Sequence, residues 1–377
     1  MIKYILSHPI QYQSPLIKYL SKRFKLTVCY RSNISLKKYH DKDFNKKVII
    51  DKNLINGYDY LFLNHIGPNK IGSIFPITTE FVKKIFDKNT KIIWVHGIKN
   101  WYNLIIIILS KFYKKKVFVR DEFNNVKKRS FLNIFFNKIF FYVIDCFIDC
   151  YLSIGSKNTK AYKFYGIKDN KIYKVPYVVN NKVFFLKKKK IKNKIKILFT
   201  GKLIFRKGCD ILLEAINLLN KNHEFKKNVD VNIIGDGVLK KEFIEYKKKN
   251  NLSNVNFLGF KNQKLIRLYY KKSNLFIIPS REENWGLALN EAMASKNAII
   301  SSNKVVSSYD LLINNFNGYT FANNNYKLLA KKIMKFYNNK KNIIKFGDNS
   351  HKIISRWNFE KCYRGISKAI NDSHEIN

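Results

Sequence analysis

Arginine is scarce in this chain: nine residues stand against sixty-three lysines, and acidic residues number only 26 in 377 positions. The formal net charge is +46, which raises nucleic acid and anionic membranes as partners. Specific base reading leans on the bidentate guanidinium fork, which lysine does not supply. The lysines are also spread over the whole length instead of forming one basic stripe with interleaved aromatics. Nucleic acid is therefore disfavoured, and compositional bias toward Lys, Asn, Ile, Phe and Tyr plus attraction to an anionic membrane surface accounts better for the charge. Cysteine is scarce too. Cys29, Cys146, Cys150, Cys209 and Cys362 are odd in number and scattered, and Cys146 and Cys150 lack the partners of a zinc site. A reduced, cytoplasmic protein is expected. Long apolar runs are also missing: NLIIIILS (103–110) is too short to span a bilayer, and FLNIFFNKIFFYVIDCF (131–147) is interrupted by Asn137, Lys138 and Asp145. The opening MIKYILSHPI starts a strand and is not a signal peptide.

What is present is a repeated alternation of strand and helix. A chain of this length holds two cores of ordinary size, and 46% apolar residues exclude bulk disorder. Apolar runs at 3–7, 25–30, 58–63, 91–95, 116–120 and 150–154 read as buried parallel strands, with helical periodicity over 14–21, 79–87 and 157–165. Residues 181–194 form a charge run without periodicity and read as a basic linker. A second alternating series then runs through IKILFTG, VDVNIIGDG, VNFLGF, NLFIIPS and AIISS. The expected architecture is α/β: two Rossmann-like doubly wound domains, residues 1–180 and 195–354, facing each other across a cleft. Residues 355–377 read as a closing amphipathic helix. Phe131 to Phe147, beside VKKRS (126–130), combines aromatic bulk with cations as an interfacial helix would. A core helix beside a solvated basic turn is the competing reading.

The segment PSREENWGLALNEAMA (279–294) carries the most chemistry. An apolar strand, Pro-Ser, a glycine and a helix-forming stretch leave the N–H groups of Gly286 and Leu287 facing outward, a site for an anion. Glu283 precedes that helix, and Glu291 lies about 8 Å along it. An isolated Glu-x7-Glu is ordinarily a pair of solvated charges; here the two carboxylates flank a phosphate-seeking helix start and can grip hydroxyls on either side of a diphosphate. In ILFTGKLIFRKGCDILLEAI (197–216), Gly201 permits close approach, while Lys202, Arg206 and Lys207 bring positive charge to a helix expected to begin near Lys207.

Together these segments resemble the donor-site motifs of retaining glycosyltransferases of family 4, the GT-B group 1 enzymes. The resemblance covers nearly the full chain, more tightly over 197–301 than before it, where HPIQYQSPLIKYL, VRDEFN and IGSKNTKAYKFYGI are similar to an exopolysaccharide-type branch. It implies diphosphate contacts from Lys202 and Lys207 with Arg206 adjacent, Glu283 against the donor sugar, Glu291 on the ribose and Phe260 near the base. It also implies that the last helix crosses back to the first domain. Lys202 replaces the family's usual Arg, while Lys296 and Val306 stand where the family usually has Gly.

In the first half His8, Gln11 and Tyr12 follow the first strand, His96 the fourth, and Arg120 and Glu122 the fifth. All are candidates for the acceptor side of the cleft, with His96 joining Glu283 as a catalytic candidate. The implied reaction moves a hexose from a nucleotide-sugar donor to a glycan or lipid-linked acceptor with retention. It needs no cofactor or metal, because cations and helix amides neutralise the leaving diphosphate. A cytoplasmic protein held at the membrane surface and building a surface polysaccharide is expected. The rivals are a catalytically weakened GT-B assembly subunit and a basic nucleic-acid-binding protein.

Overall fold

A computed structural model describes residues 1–36, 39–41, 46–48, 54–63, 79–124, 130–191 and 193–374. The chain divides into two compact units: residues 1–39, 47–177 and 359–377 form the first, and 40–46 with 178–358 the second.

The first unit starts with β1 (Ile2–Leu6), α1 (Ser14–Ser21) and β2 (Leu26–Tyr30); the short strands β3 (Tyr39–Asp41) and β4 (Lys46–Val48), which follow in the chain, fall across the division between the units. It continues through β5 (Asp59–Phe62), α2 (Thr79–Ile85), β6 (Ile92–His96), α3 (Trp101–Phe112), β7 (Lys116–Arg120), α4 (Phe131–Asp145), β8 (Cys150–Ser153), α5 (Ser156–Phe164) and β9 (Ile172–Lys174). Seven of these strands form one parallel sheet in the order β5-β2-β1-β6-β7-β8-β9. Central strands such as β1 are buried along their whole length, as a parallel sheet covered on both faces requires. From β6 to β9 the chain steps in one direction, so right-handed crossovers set α3, α4 and α5 on one face. Their inward residues Ile106, Phe141 and Tyr162 share one core with Val95 and Val119 of the strands.

The α4 segment has one buried and one exposed face. Asn137, Phe141 and Ile144 are buried, whereas Phe131, Phe136 and Tyr142 are exposed. Residues 126–129 of the neighbouring VKKRS run lie outside the described residues. Among those described, no helix is long and apolar enough to cross a membrane.

The second unit contains α6 (Asn181–Phe184), β10 (Ile195–Thr200), α7 (Cys209–Leu219), α8 (His223–Asn228), β11 (Val229–Ile234), α9 (Lys240–Lys249), β12 (Val255–Phe257) and α10 (Gln263–Lys272). Then come β13 (Leu275–Ile278), α11 (Leu287–Ala294), β14 (Ala298–Ser302), α12 (Ser308–Leu311), β15 (Gly318–Phe321), α13 (Tyr326–Asn338) and α14 (Lys340–Ser355). Six parallel strands run β12-β11-β10-β13-β14-β15. The order reverses at β10 and β13, so the carboxyl ends of those two strands form the crevice where this topology binds ligands.

Residues 181–191 and 193–194 group with this unit. The Lys189 ammonium is buried and donates to the carbonyls of Tyr270 (3.1 Å) and Ser273 and to Asn297 Oδ1 (3.0 Å). It closes the C-terminal end of α10, where the Tyr270 carbonyl also accepts from Asn297 Nδ2 (3.0 Å), and burial holds the Lys189 pKa well below the ordinary lysine value. A lysine run shows no periodicity, so this one inward residue is invisible in the sequence.

The last helix, α15 (Phe359–His374), lies against β8 and β9 of the first unit. Tyr19 donates to Glu360 (2.6 Å), Cys362 Sγ to the Pro176 carbonyl (3.1 Å) and Cys150 Sγ to the Ala369 carbonyl (3.7 Å).

Gly235, just past β11, has φ +152°, and a Cβ there would sit 1.8 Å from the Gly201 carbonyl oxygen. The adjacent strand ends of β10 and β11 approach this closely only over a bare backbone. Gly235→Ala should destabilise the second unit by about 3 kcal/mol or more, through overpacking and backbone strain together. Urea unfolding monitored by circular dichroism measures it.

Candidate functional site

The β10 loop begins at Gly201 and closes in a single 3₁₀ turn, Phe205–Lys207. Gly208 then takes φ +68°, and α7 starts at Cys209, two residues later than the sequence suggests. The left-handed residue breaks the helix backward of Cys209. A Cβ at Gly208 would lie 2.3 Å from the Pro279 carbonyl, so this loop is pressed onto the loop that follows β13. Arg281 ties them further. Its N–H donates to the Arg206 carbonyl (2.8 Å), and its guanidinium grips both oxygens of Asp210 (2.8 and 2.5 Å) while covering the Phe205 ring at 3.8 Å.

Above this joint lies a cavity of about 330 Å³ at the carboxyl ends of β10, β11 and β13. Gly201, Lys202, Arg206, Lys207, Phe260, Glu283, Gly286 and Leu287 all line it, so eight of the nine donor-side residues singled out in the sequence, counting Glu283 among them, come together. The Lys207 ammonium pairs with the Glu283 carboxylate, and both side chains are mostly buried. Glu283 is fixed by its backbone as well: its N–H donates to the Lys304 carbonyl (3.2 Å) and its carbonyl accepts from Val306 (3.1 Å). Val306 thus occupies a buried position with its amide engaged. Gly286 adopts φ +89° as the residue before α11, and the first amides of that helix have no helical carbonyl to meet. Trp285 anchors the turn, buried, with its indole N–H on Asn290 Oδ1 (3.1 Å). Cations on one wall, helix amides on another and a fixed carboxylate between them suit a diphosphate carrying a hydroxylated group.

Glu291 is placed differently. It does not line the cavity. Its carboxyl lies against Tyr270, Gln263 and Arg267, and burial pushes its pKa up to about 7 despite those partners. Tyr270 in turn meets the hydroxyl of Thr200, a cavity-lining residue, at 2.7 Å. Glu291 therefore reaches the cavity wall through Tyr270 and Thr200, neither of which the sequence motif singles out. Lys296, where the family usually has Gly, takes φ +57° and keeps that left-handed turn; its ammonium pairs with Asp348 at 2.9 Å.

In the first unit a second polar cluster gathers at the ends of β1, β6 and β7. His96 Nδ1 meets the Tyr4 hydroxyl at 3.2 Å, and His96 Nε2 meets the Tyr177 hydroxyl at 3.1 Å. Tyr4 donates to Gln13 (2.9 Å) and Tyr177 to Glu122 (2.9 Å). Burial, then the charge of Arg120, hold His96 down to about pKa 3, so it is a neutral hydrogen-bonding group near pH 7. Arg120 is itself buried: it donates to the carbonyls of Val175 (3.1 Å) and Pro176 (2.7 Å) and lies 4.6 Å from the Tyr177 ring. Those bonds fix residues 175–177. Tyr12 packs edge-on against Tyr177 at 5.8 Å, and Gln11 is half-buried in the same turn. His8 stands apart, with Nδ1 on the Ser7 hydroxyl (2.9 Å) and its pKa lowered to about 4 by burial and Arg31. Sequence reasoning missed Tyr4, Gln13 and Tyr177, which hold His96 in place; a strand tyrosine carries no local signal that its hydroxyl will meet a residue ninety positions away.

Two parallel-sheet Rossmann-like units with such a site define the GT-B fold. The structure superposes on that of HepE from Anabaena, solved in complex with UDP, with a TM-score of 0.76 over 98% of this chain and 99% of that one, at 14% identity. Residues 181–353 match the family described as Glycosyl transferases group 1, and the second unit carries such a domain. An uncharacterized glycosyltransferase of Methanocaldococcus jannaschii is 31% identical over 177 residues, 46% of this chain and 47% of that protein. The poly(ribitol-phosphate) alpha-N-acetylglucosaminyltransferase of Staphylococcus aureus is 28% identical over 175 residues, 45% of this chain and 34% of its own length. The matched stretch thus spans about half or less of these curated relatives.

The raised Glu291 pKa has a sign. The unfolded carboxyl loses its proton near 4.5, the folded one near 7. The native state therefore binds more protons between those values, and its stability is fully present below pH 4.5 and lost as pH rises through 7. The loss amounts to about 3 kcal/mol at most. Glu291→Gln should flatten that slope in urea-unfolding free energies measured from pH 4.5 to 8; an unchanged slope would remove Glu291 as its source.

Proposed function

We propose that this protein is a retaining hexosyltransferase: it takes a nucleotide diphosphate sugar and passes the hexose to a hydroxyl of a glycan or lipid-linked acceptor in surface polysaccharide synthesis. The observation that carries the reading is the second unit's cavity, where Lys202, Arg206 and Lys207 face the α11 amides with Glu283 between. That HepE is solved with UDP, and that the Staphylococcus aureus relative is a poly(ribitol-phosphate) N-acetylglucosaminyltransferase, agrees with this chemistry.

In this reading the Lys207 ammonium and the α11 amides take the diphosphate, and binding of the donor exchanges the Lys207–Glu283 pair for phosphate on one side and sugar hydroxyls on the other. Charge on the departing diphosphate is met by Lys202 and Lys207, so no divalent metal is required. The leaving phosphate itself takes the acceptor proton on the same face of the sugar, which keeps the anomeric configuration without a protein nucleophile. Glu283 orients the sugar. Phe260, half-exposed at the cavity mouth, stacks beside the base. Glu291 acts on the ribose side through its Tyr270 and Thr200 neighbours. The first unit takes the acceptor, with Tyr12, Gln11, Glu122 and His8 in contact and neutral His96 as the hydrogen-bonding group nearest its hydroxyl; Arg120 positions Tyr177. The substitutions at Lys296 and Val306 leave the Glu283 turn intact, which favours an active enzyme over an inert subunit.

Lys207→Ala should weaken binding of a nucleoside diphosphate roughly tenfold to a hundredfold, the worth of one charge-assisted contact, while leaving the free nucleoside unaffected. Calorimetry with both ligands checks this, and equal weakening of both would show damage to the domain instead. Glu283→Gln should lower kcat/KM for sugar transfer by about a hundredfold, near 3 kcal/mol, with unchanged circular dichroism. Turnover on a panel of nucleotide sugars, with and without EDTA, tests the reaction itself: wild-type rates from the variant, or loss of activity in EDTA, would overturn the corresponding assignment.

A further inference from the structure

The outer surface of α4 is unlike any other helix face in the first unit. Phe131, Leu132, Phe135, Phe136, Ile139 and Tyr142 are 79, 65, 50, 64, 47 and 80% exposed. Their spacing, i, i+1, i+4, i+5, i+8 and i+11, puts them on one continuous stripe, opposite the buried Phe141 and Ile144. On the same side of the sheet α3 adds Phe112, 76% exposed, and α5 adds Phe164. A protein that stays in water rarely leaves so large an apolar surface bare.

The charge around this surface is predominantly positive. Helices α3, α4 and α5 together carry five lysines, at 111, 138, 157, 160 and 163, and a single carboxylate, Asp145. Asp145 is already held by Lys171 at 3.0 Å. Lys138 projects from α4 itself with its ammonium 5.6 Å from the Phe164 ring. Nearby, Asp149 is shared by Lys111 (3.2 Å) and Lys116 (3.7 Å), and Asp169 pairs with Lys163 (2.6 Å), so ammonium groups stay in excess over carboxylates. Aromatic bulk in the middle and this excess of lysine beside it complement a surface that offers acyl chains beneath phosphates.

We propose that the outer face of α4 is the surface by which this protein docks on an anionic lipid bilayer, its aromatic side chains entering the headgroup region while neighbouring lysines meet lipid phosphates. A second copy of the chain fits the face poorly, because two-fold pairing would bring the same lysines against each other. The inference goes beyond sugar transfer and does not depend on it: a membrane-docked α4 is compatible with any chemistry in the second unit.

The test uses the full chain and sedimentation with vesicles of phosphatidylcholine, with and without phosphatidylglycerol. Wild type should sediment with the anionic vesicles, be released by high salt, and ignore the neutral ones. The double substitution Phe135→Asp and Phe136→Asp should lower the partition roughly tenfold or more while nucleoside diphosphate binding stays at the wild-type level. Phe136→Trp should gain fluorescence that brominated acyl chains quench. That conservative variant decides the matter alone if the aspartate variant fails to fold. Undiminished vesicle binding by the double variant, no quenching of the introduced tryptophan, failure of wild type to bind anionic vesicles, or a wild-type dimer that the double substitution dissociates would each overturn the proposal.

Discussion

The second unit is organised around the pressure of one loop against another. Gly208 sits so close to the Pro279 carbonyl that no side chain fits between them, and the Arg281 guanidinium, gripping Asp210 in bidentate fashion, locks the same joint from the side. Because β10 and β13 are neighbours in the sheet, this contact turns two strand ends into one wall. Lys207 and Glu283 belong to opposite halves of that wall, and their pairing follows from it. A single hydrogen-bonded ion pair at a flexible surface is worth little; between two loops already immobilised, it has no entropy left to lose and defines where charge can be placed.

Much of this was legible in the residues. The alternation of apolar runs with helical stretches located the strands of the two large sheets except β9 and β15, because buried parallel strands read as short continuous apolar segments. The Glu283-to-Glu291 segment and the basic loop before α7 found one cavity, since both motifs are local and both follow strands that the topology makes neighbours. The misses share a different physical origin. Glu291 reaches the cavity only by way of Tyr270 and Thr200, which come from different elements, and no spacing rule connects positions 200, 270 and 291. His96 was found by its place at a strand end, but the tyrosines that hold it in place come from positions 4 and 177. Lys189 was hidden among its equals, one inward lysine in a run of outward ones.

The two candidate carboxylates also differ in kind. Glu283 faces an ammonium in the cavity lining, whereas burial leaves Glu291 near pKa 7. With its pKa raised to about 7 by burial, Glu291 can donate as well as accept a hydrogen bond near neutral pH. A pair that looks symmetric on paper is therefore two different chemical groups, of which Glu283 alone lines the cavity.

The return of α15 to the first unit has a consequence for the order of synthesis. The helix fits so tightly against β9 that a Cβ at Gly365 would lie 2.2 Å from the Lys174 carbonyl, and Ile366 and Ala369 are fully enclosed. Yet residues 178–358, almost the whole of the second unit, leave the ribosome before this helix does. The unit that begins first is thus the one completed last. Its β8 and β9 strands wait with an uncovered apolar face while the second unit acquires its sheet, and closure of the N-terminal core is postponed until α15 has emerged.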